Sequence, residues 1–226
     1  MAQALAEAIL EIEQNEQIRA VLLTGDGERF CAGGDASAMA SSPSPASYVR
    51  ELAGTLDSAL QRLAATRKPV ICAVQGAVAG AGIAVMLSCD LIVAAPQTKF
   101  VMAYSAIGLT PECGASWLLP RAVGQQRALE LSLGGRSLSA QEALDWGLIS
   151  RIAEDSLAHA REAAVTIATG PHAALGETRR LLRSAWSSTR AEAGAEETRT
   201  IAAAVGQDYA RTALRRFHPD NRKVPS

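Results

Sequence analysis

"KPVICAVQGAVAGAGIAVMLSCDLIVAA", Lys68 to Ala95, is the stretch whose reading decides the fold. It opens on an apolar, β-branched run after a proline, the pattern of a buried strand. Gly76, Gly80 and Gly82 then punctuate it. "AGAGIAVMLSC" reads as a helix of small residues, and "DLIVAA" as a second buried strand. The apolar run from Val78 to Ala95 is about as long as a membrane span. Asp90 interrupts it and its glycines weaken it, so a buried helix followed by a buried strand is the better reading.

The same pattern extends in both directions. Upstream, "IRAVLLTG" (Ile18–Gly25) is a short strand closed by glycine, and "ALAEAILEIEQ" (Ala4–Gln14) has the apolar spacing of an amphipathic helix. "DGERFCAGGDASAM" is turn-rich and leads into "ASSPSPAS" (Ala40–Ser47), the most loop-like segment. A helix is expected from Tyr48 to Thr66. Downstream, "KFVMA" (Lys99–Ala103) is another strand beyond the turn at Pro96, and after Gly108 the helical signal dominates to the end. Strand, glycine turn, helix and strand in repetition predict an α/β fold with a helical C-terminal part. The expected division is a core over 1–170 and a helical region over 171–226.

Composition narrows the class. Of the 226 residues, 48% are hydrophobic and 20% charged, which supports a sizeable core and argues against global disorder. Net charge is −1, so no general attraction to nucleic acid or an anionic membrane is implied. Cys31, Cys72, Cys89 and Cys113 form no CxxC pair and read as reduced, small core residues of a cytosolic protein. The start "MAQALAEAILEIEQ" has neither the cationic region nor the cleavage site of a signal peptide. His159, His172 and His218 lack ligand spacing, so no metal site is expected. Lys68 and Lys99 read as strand-edge solvation.

Two places share one design. "FCAGGDASAM" (Phe30–Met39) and "VQGAVAGAGIAVM" (Val74–Met86) each run from a strand through glycines to a helix start. Glycine admits close backbone approach, and a helix start leaves N–H groups unpaired. Two such turns can aim two N–H groups at one oxygen atom, as an oxyanion hole does. Spacing alone fits two ordinary strand-to-helix turns at least as well. No G-x-G-x-x-G fingerprint, P-loop or G-x-S-x-G elbow is present. In "IGLTPECGASW" (Ile107–Trp117), Glu112 is the only charge. It reads either as a turn or helix-start carboxylate, or as a base whose pKa an apolar setting raises. Cys113 beside it has no histidine near in sequence to activate it as a nucleophile.

Four ordered segments together resemble the enoyl-CoA hydratase/isomerase (crotonase) family. They are "AVLLTGDGERFCAGGD", the Lys68–Ala95 stretch, "KFVMAYSAIGLTPECGASWLLPRAVG" and "RALELSLGGRSLSAQEALDWGLISRI". The likeness runs from near Ala20 to near Ala185. It implies a crotonase-like spiral of ββα units and C-terminal helices packed between subunits of a homotrimer or dimer of trimers. It also implies acyl-CoA thioester substrates, no cofactor beyond that CoA, and a cytoplasmic place in fatty acid metabolism. By motif position the oxyanion donors are the N–H groups of Gly34 and Ala81. CoA lies along Ala32, Gly33, Gly34 and Asp35, with Asp35 more a cap of the next helix than a substrate contact. Arg222 and Lys223 are either CoA-phosphate contacts of a neighbouring subunit or a solvated basic end. The family's β-hairpin before the first helix has no counterpart ahead of Met1.

The same resemblance assigns the acids. The two hydratase glutamates fall at Ala84 and Tyr104, neither acidic, which argues against water addition. The isomerase branch, delta-3-delta-2-enoyl-CoA and 1,2-epoxyphenylacetyl-CoA isomerases, carries one acid after the proline of G-L-x-P-[DE]. "GLTPE" matches it, with Glu112 as the base and Tyr104 and Trp117 lining the acyl pocket. The alternatives are another CoA thioester chemistry of this family, such as hydratase, dehalogenase or hydrolase, and a non-catalytic CoA-binding subunit.

Overall fold

The computed structural model describes residues 1–218. The chain begins with helix α1 (Ala2–Gln14) and strand β1 (Val21–Thr24). Next come α2 (Ala36–Ser41), α3 (Pro45–Ala65), β2 (Val70–Val74), β3 (Ala77–Ala79) and α4 (Ala81–Leu87). β4 (Leu91–Ala94) and β5 (Lys99–Val101) lead through a 3-10 turn, Ala103–Ile107, to α5 (Ala115–Val123) and α6 (Gln125–Gly134). Then follow β6 (Ser137–Ser139), α7 (Ala140–Asp145) and β7 (Arg151–Ile152). The last helices are α8 (Ser156–Thr169), α9 (His172–Ser184), α10 (Arg190–Val205) and α11 (Asp208–Leu214).

The strands form two sheets. The larger, in order β1-β2-β4-β7, is parallel throughout, with Val21 beside Val70, Ile71 beside Leu91 and Val93 beside Arg151. The smaller, β3-β5-β6, pairs β3 and β5 in parallel and β5 and β6 antiparallel. The chain alternates between them: β2 and β4 enter the larger sheet, while β3 and β5 enter the smaller. β2 and β3 are followed by α4, and β4 and β5 by the 3-10 turn and α5, which makes the repeat a ββα unit.

Three expectations about the elements need correction. "GAVAG" contains a strand, β3, too short to be heard among its glycines. β6 and β7 lie in the part expected to be helical; at three and two residues they carry no period-2 signal. α3 starts at Pro45, three residues before Tyr48, because a proline's fixed φ suits the first helical turn.

The larger sheet is covered on both faces, which is why β2 reads as an unbroken apolar run. Ile71, Ala73 and Val93 pack with Ala160 and Ile167 of α8. Val70, Cys72, Val74 and Ile92 join the main core with Leu56, Leu60 and Leu63 of α3. α4 is buried from Ala81 to Met86, and its small residues let it sit between other elements.

Asp90, the charge inside the apolar stretch, anchors the C-terminal helices. Its carboxylate accepts from the Val70 N–H (2.7 Å), Arg179 Nε (2.6 Å) and Arg183 Nε (2.9 Å). Arg179 is 6% exposed and also donates to the carbonyls of Leu63, Ala64 and Thr66. Arg183 donates to those of Ser88 and Cys89. α9 is thereby clamped to the ends of α3 and α4. Lys68 is not a solvating edge residue: its ammonium donates to the carbonyls of Ile12 and Asn15 and closes the C-terminus of α1.

Candidate active site

The fold brings the two glycine turns against each other. Cys31 pairs with Val78 alongside β3; its N–H donates to Ala77 O (3.2 Å) and its carbonyl accepts from the Ala79 N–H (2.8 Å). Backbones this close leave no room for side chains. A Cβ on Gly82 would stand 2.6 Å from Cys31 O, and one on Gly33, whose φ is 96°, would stand 3.2 Å from Ala79 O beside Gly80. Gly80 adopts φ 53°, ψ −124°, a region closed to L side chains, and so turns the chain sharply into α4. Beyond the turns lie the amides of Gly34 and Ala81. Among the described residues neither N–H has a hydrogen-bond partner. Gly34 is exposed, with the Met39 side chain lying close against it.

Glu112 enters from the far side. The 3-10 turn ends at Gly108, and Leu109 N–H folds back onto Tyr104 O (3.0 Å). After Pro111 the Glu112 carbonyl accepts from the Ala115 N–H (2.9 Å), and Gly114 opens α5. Between them Cys113 holds φ 53°, a left-handed conformation that costs on the order of 1–3 kcal/mol outside glycine. Such strain concentrates at functional sites because surrounding contacts enforce it.

The Glu112 side chain is half-buried and has no ion pair among the described residues. Burial raises its pKa above the usual carboxylate range, with the Cys113 thiol pulling weakly the other way. The Cys113 thiol faces Ala53 O of α3 at 3.7 Å. Burial, then the charges of Glu112 and Asp57, push it up to about 12, so it stays a protonated thiol, which disfavours it as a nucleophile.

Tyr104 stands between these parts. It is 8% exposed, and its hydroxyl is buried without a hydrogen-bond partner. Its Cζ lies 3.8 Å from where a Cβ on Gly80 would be, which puts the phenol end beside the turn before Ala81. Burial first, and the Glu112 charge second, raise the phenol. On its other side Tyr104 borders an apolar cavity of about 340 Å³ with Leu109, Pro111, Leu119 and Leu129.

The remaining candidates are dispersed. Ala84 is fully buried in α4 and offers no polar group. Ala32 and Asp35 are exposed beside Gly33, and the Asp35 carboxylate caps α2 by accepting from the Ala38 N–H (2.9 Å). Trp117 is half-exposed on α5 with the Arg121 guanidinium 3.7 Å above its ring, away from the cavity lining. Arg222 and Lys223 lie outside the described residues. Met39, where the loop expected to set pocket size begins, borders the site, as do Ala53 and Asp57 of α3, which no motif singled out. Among the described residues no helix is long and apolar enough to cross a membrane.

A sequence model of the enoyl-CoA hydratase/isomerase family matches residues 1–223. The chain is 42% identical over 189 residues to the 1,2-epoxyphenylacetyl-CoA isomerase of Escherichia coli K12, covering 82% of this chain and 72% of that protein. It is 30% identical over 207 residues to a 4-chlorobenzoyl coenzyme A dehalogenase of Arthrobacter sp., covering 90% and 75%. Among solved structures, an enoyl-CoA hydratase from Polaromonas sp. JS666 superposes with a TM-score of 0.87 at 33% identity, over 96% of this chain and 86% of that one. Facing glycine turns, the ββα alternation and the family match agree: this chain is an enzyme of the enoyl-CoA hydratase/isomerase family, with the crotonase fold.

Proposed function

We propose that the protein is an acyl-CoA double-bond isomerase that uses Glu112 as its single base. The observation that carries this reading is a half-buried carboxylate, without an ion pair among the described residues, that borders Tyr104 as the Gly80 turn does, beside two facing turns with unpaired amides and with no second acid at Ala84 or Tyr104. Water addition needs one group to deprotonate water and another to protonate carbon. A 1,3-proton shift needs only one carboxylate that gives back what it takes.

In this mechanism the thioester oxygen of a 3-enoyl-CoA accepts from the N–H groups of Gly34 and Ala81. Glu112 removes a proton from C2, and electron density moves onto the thioester oxygen as a dienolate. The same carboxyl returns the proton at C4 and leaves a 2-enoyl thioester. A carboxylate with a raised pKa is the stronger base for the first step, and the carboxyl it becomes is the only acid the second step needs. CoA lies along Ala32 to Asp35 as part of the substrate, with no further cofactor. Tyr104 and Trp117 belong to the expected acyl wall, although Trp117 stands apart from the cavity that Tyr104 borders. A homotrimer or dimer of trimers built through residues 171–226 and a cytoplasmic setting complete the proposal. Exposed Leu182, Trp186, Ile201 and Phe217 on the described part of that region supply apolar surface for such contacts.

The test is a spectroscopic assay with 3-enoyl-CoAs of several lengths, beside Glu112→Gln. The wild type should form 2-enoyl-CoA without 3-hydroxyacyl product, and the variant should lose about 10²- to 10⁴-fold in kcat while still binding CoA thioesters. A wild type that binds acyl-CoA and never shifts the double bond overturns the reading. Dehalogenase, hydrolase or non-catalytic binding would then lead.

A further inference from the structure

The wall between Gly80 and Glu112 holds two polar groups with complementary needs. The Tyr104 hydroxyl is a buried donor with no acceptor, less than 1 Å² of it exposed. The Glu112 carboxylate is an acceptor whose single side-chain partner is the weak Cys113 thiol. The Glu112 backbone N–H faces the phenol oxygen without closing a hydrogen bond, so the two residues are neighbours. The other titratable groups around them, Cys31, Cys113 and the Asp57 carboxylate on α3, supply no cation.

We propose that the Tyr104 hydroxyl is the hydrogen-bond donor that receives the Glu112 carboxylate once an acyl chain fills the site, which makes Tyr104 a positioning residue for the base. The inference rests on the isomerase reading for its role, and on the geometry for the contact. Half-exposed, the carboxylate is solvated from outside. An acyl chain laid over it removes that solvent, and a charged carboxylate left without a donor is costly. In the proposed complex the carboxylate turns inward about its side-chain torsions, toward the buried and unpartnered Tyr104 hydroxyl. A bond from Tyr104 fixes the carboxylate beside C2 and C4 and favours its charged form. It also gives a buried hydroxyl its missing partner, since groups of this kind rarely stay unpaired without a reason.

The decisive measurement is a ¹³C carboxyl titration of glutamate-labelled protein saturated with butanoyl-CoA. The Glu112 signal is assigned by its loss in Glu112→Gln, and wild type is compared with Tyr104→Phe. Phenylalanine keeps the ring and its packing, and matched melting curves establish that the fold is retained. Removing a donor to the charged form should raise the Glu112 pKa by about one unit. The acid limb of the kcat–pH profile should move up with it, with KM changing less than about threefold. Identical titration of Glu112 in both complexes overturns the proposal. So does a change confined to KM or melting temperature, which is what packing alone would give. If the wild type shows no isomerase turnover, the function assigned above fails, while the carboxyl titration still decides the Tyr104 contact.

Discussion

Asp90 and Glu112 are both carboxylates set in apolar stretches, and the structure treats them in opposite ways. Asp90 accepts from one backbone amide and two guanidinium groups. Glu112 has a thiol for a neighbour and no cation among the described residues. A carboxylate whose acceptor capacity is filled is inert and holds elements together. One kept desolvated and unpaired is destabilised as an anion and is therefore a better base. The same residue chemistry thus yields a clamp in one place and, in the proposed function, a base in another, and only the partners differ.

The contrast predicts that removing each carboxylate harms a different property. Glu112→Gln should abolish most turnover and leave the melting curve nearly in place. Asp90→Ala should do the reverse. It strands the buried Arg179 guanidinium without its counter-charge and leaves the Val70 N–H without its acceptor. Breaking a buried pair from one side costs about 3–5 kcal/mol. For a chain of this length that lowers Tm by on the order of 10 °C. Differential scanning calorimetry and activity below the transition separate the two effects. A loss under about 1 kcal/mol would mean that the Asp90 cluster behaves as a surface ion pair.

How much of this was legible depended on the range of the signal. Within Lys68–Ala95, β2, α4 and β4 announced themselves as apolar runs set off by glycine or proline, whereas the three-residue β3 was hidden among its glycines. β6 and β7 were silent, since strands of three and two residues have no periodicity to read. Asp90 was visible as an interruption, but its purpose lay about ninety positions away, at Arg179 and Arg183. Each glycine turn was plain by itself. That Gly33 meets Gly80 follows from the Cys31–Val78 pairing, which local sequence does not encode. Family resemblance supplied the roles of Gly34, Ala81 and Glu112. It said nothing of the Tyr104 hydroxyl, whose isolation is a property of packing.

The turns offer a smaller perturbation that sharpens the same comparison. If Ala81 donates its N–H to the thioester oxygen, then removing that one hydrogen should weaken catalysis without disturbing structure. Ala81→Pro removes it and sets a ring carbon in its place, and Ala81 is the first residue of α4, a helical position that accepts proline. Gly80 before it has no Cβ to clash with the ring. Loss of one oxyanion donor costs about 10²- to 10³-fold in kcat. Unchanged kcat in a folded variant would remove Ala81 from the oxyanion site.

The subtlest expectation concerns stability, and its sign is what separates the two carboxylates. The raised pKa of Glu112 means that folding disfavours its anion. Below the ordinary carboxylate pKa, about 4.3, the group is protonated in both the folded and the unfolded chain and costs nothing. As pH rises through the unfolded and then the folded pKa, the unfolded chain releases its proton more readily and the native state loses stability. Glu112→Gln, which has no charge to desolvate, should therefore melt slightly above the wild type at neutral pH and level with it near pH 3. Solvent screens a half-exposed site, so the gain is on the order of 1 °C. Asp90→Ala should be less stable than the wild type at neutral pH. Should Glu112→Gln instead lower Tm at neutral pH, Glu112 has a stabilising partner in solution and resembles Asp90 more than the structure indicates.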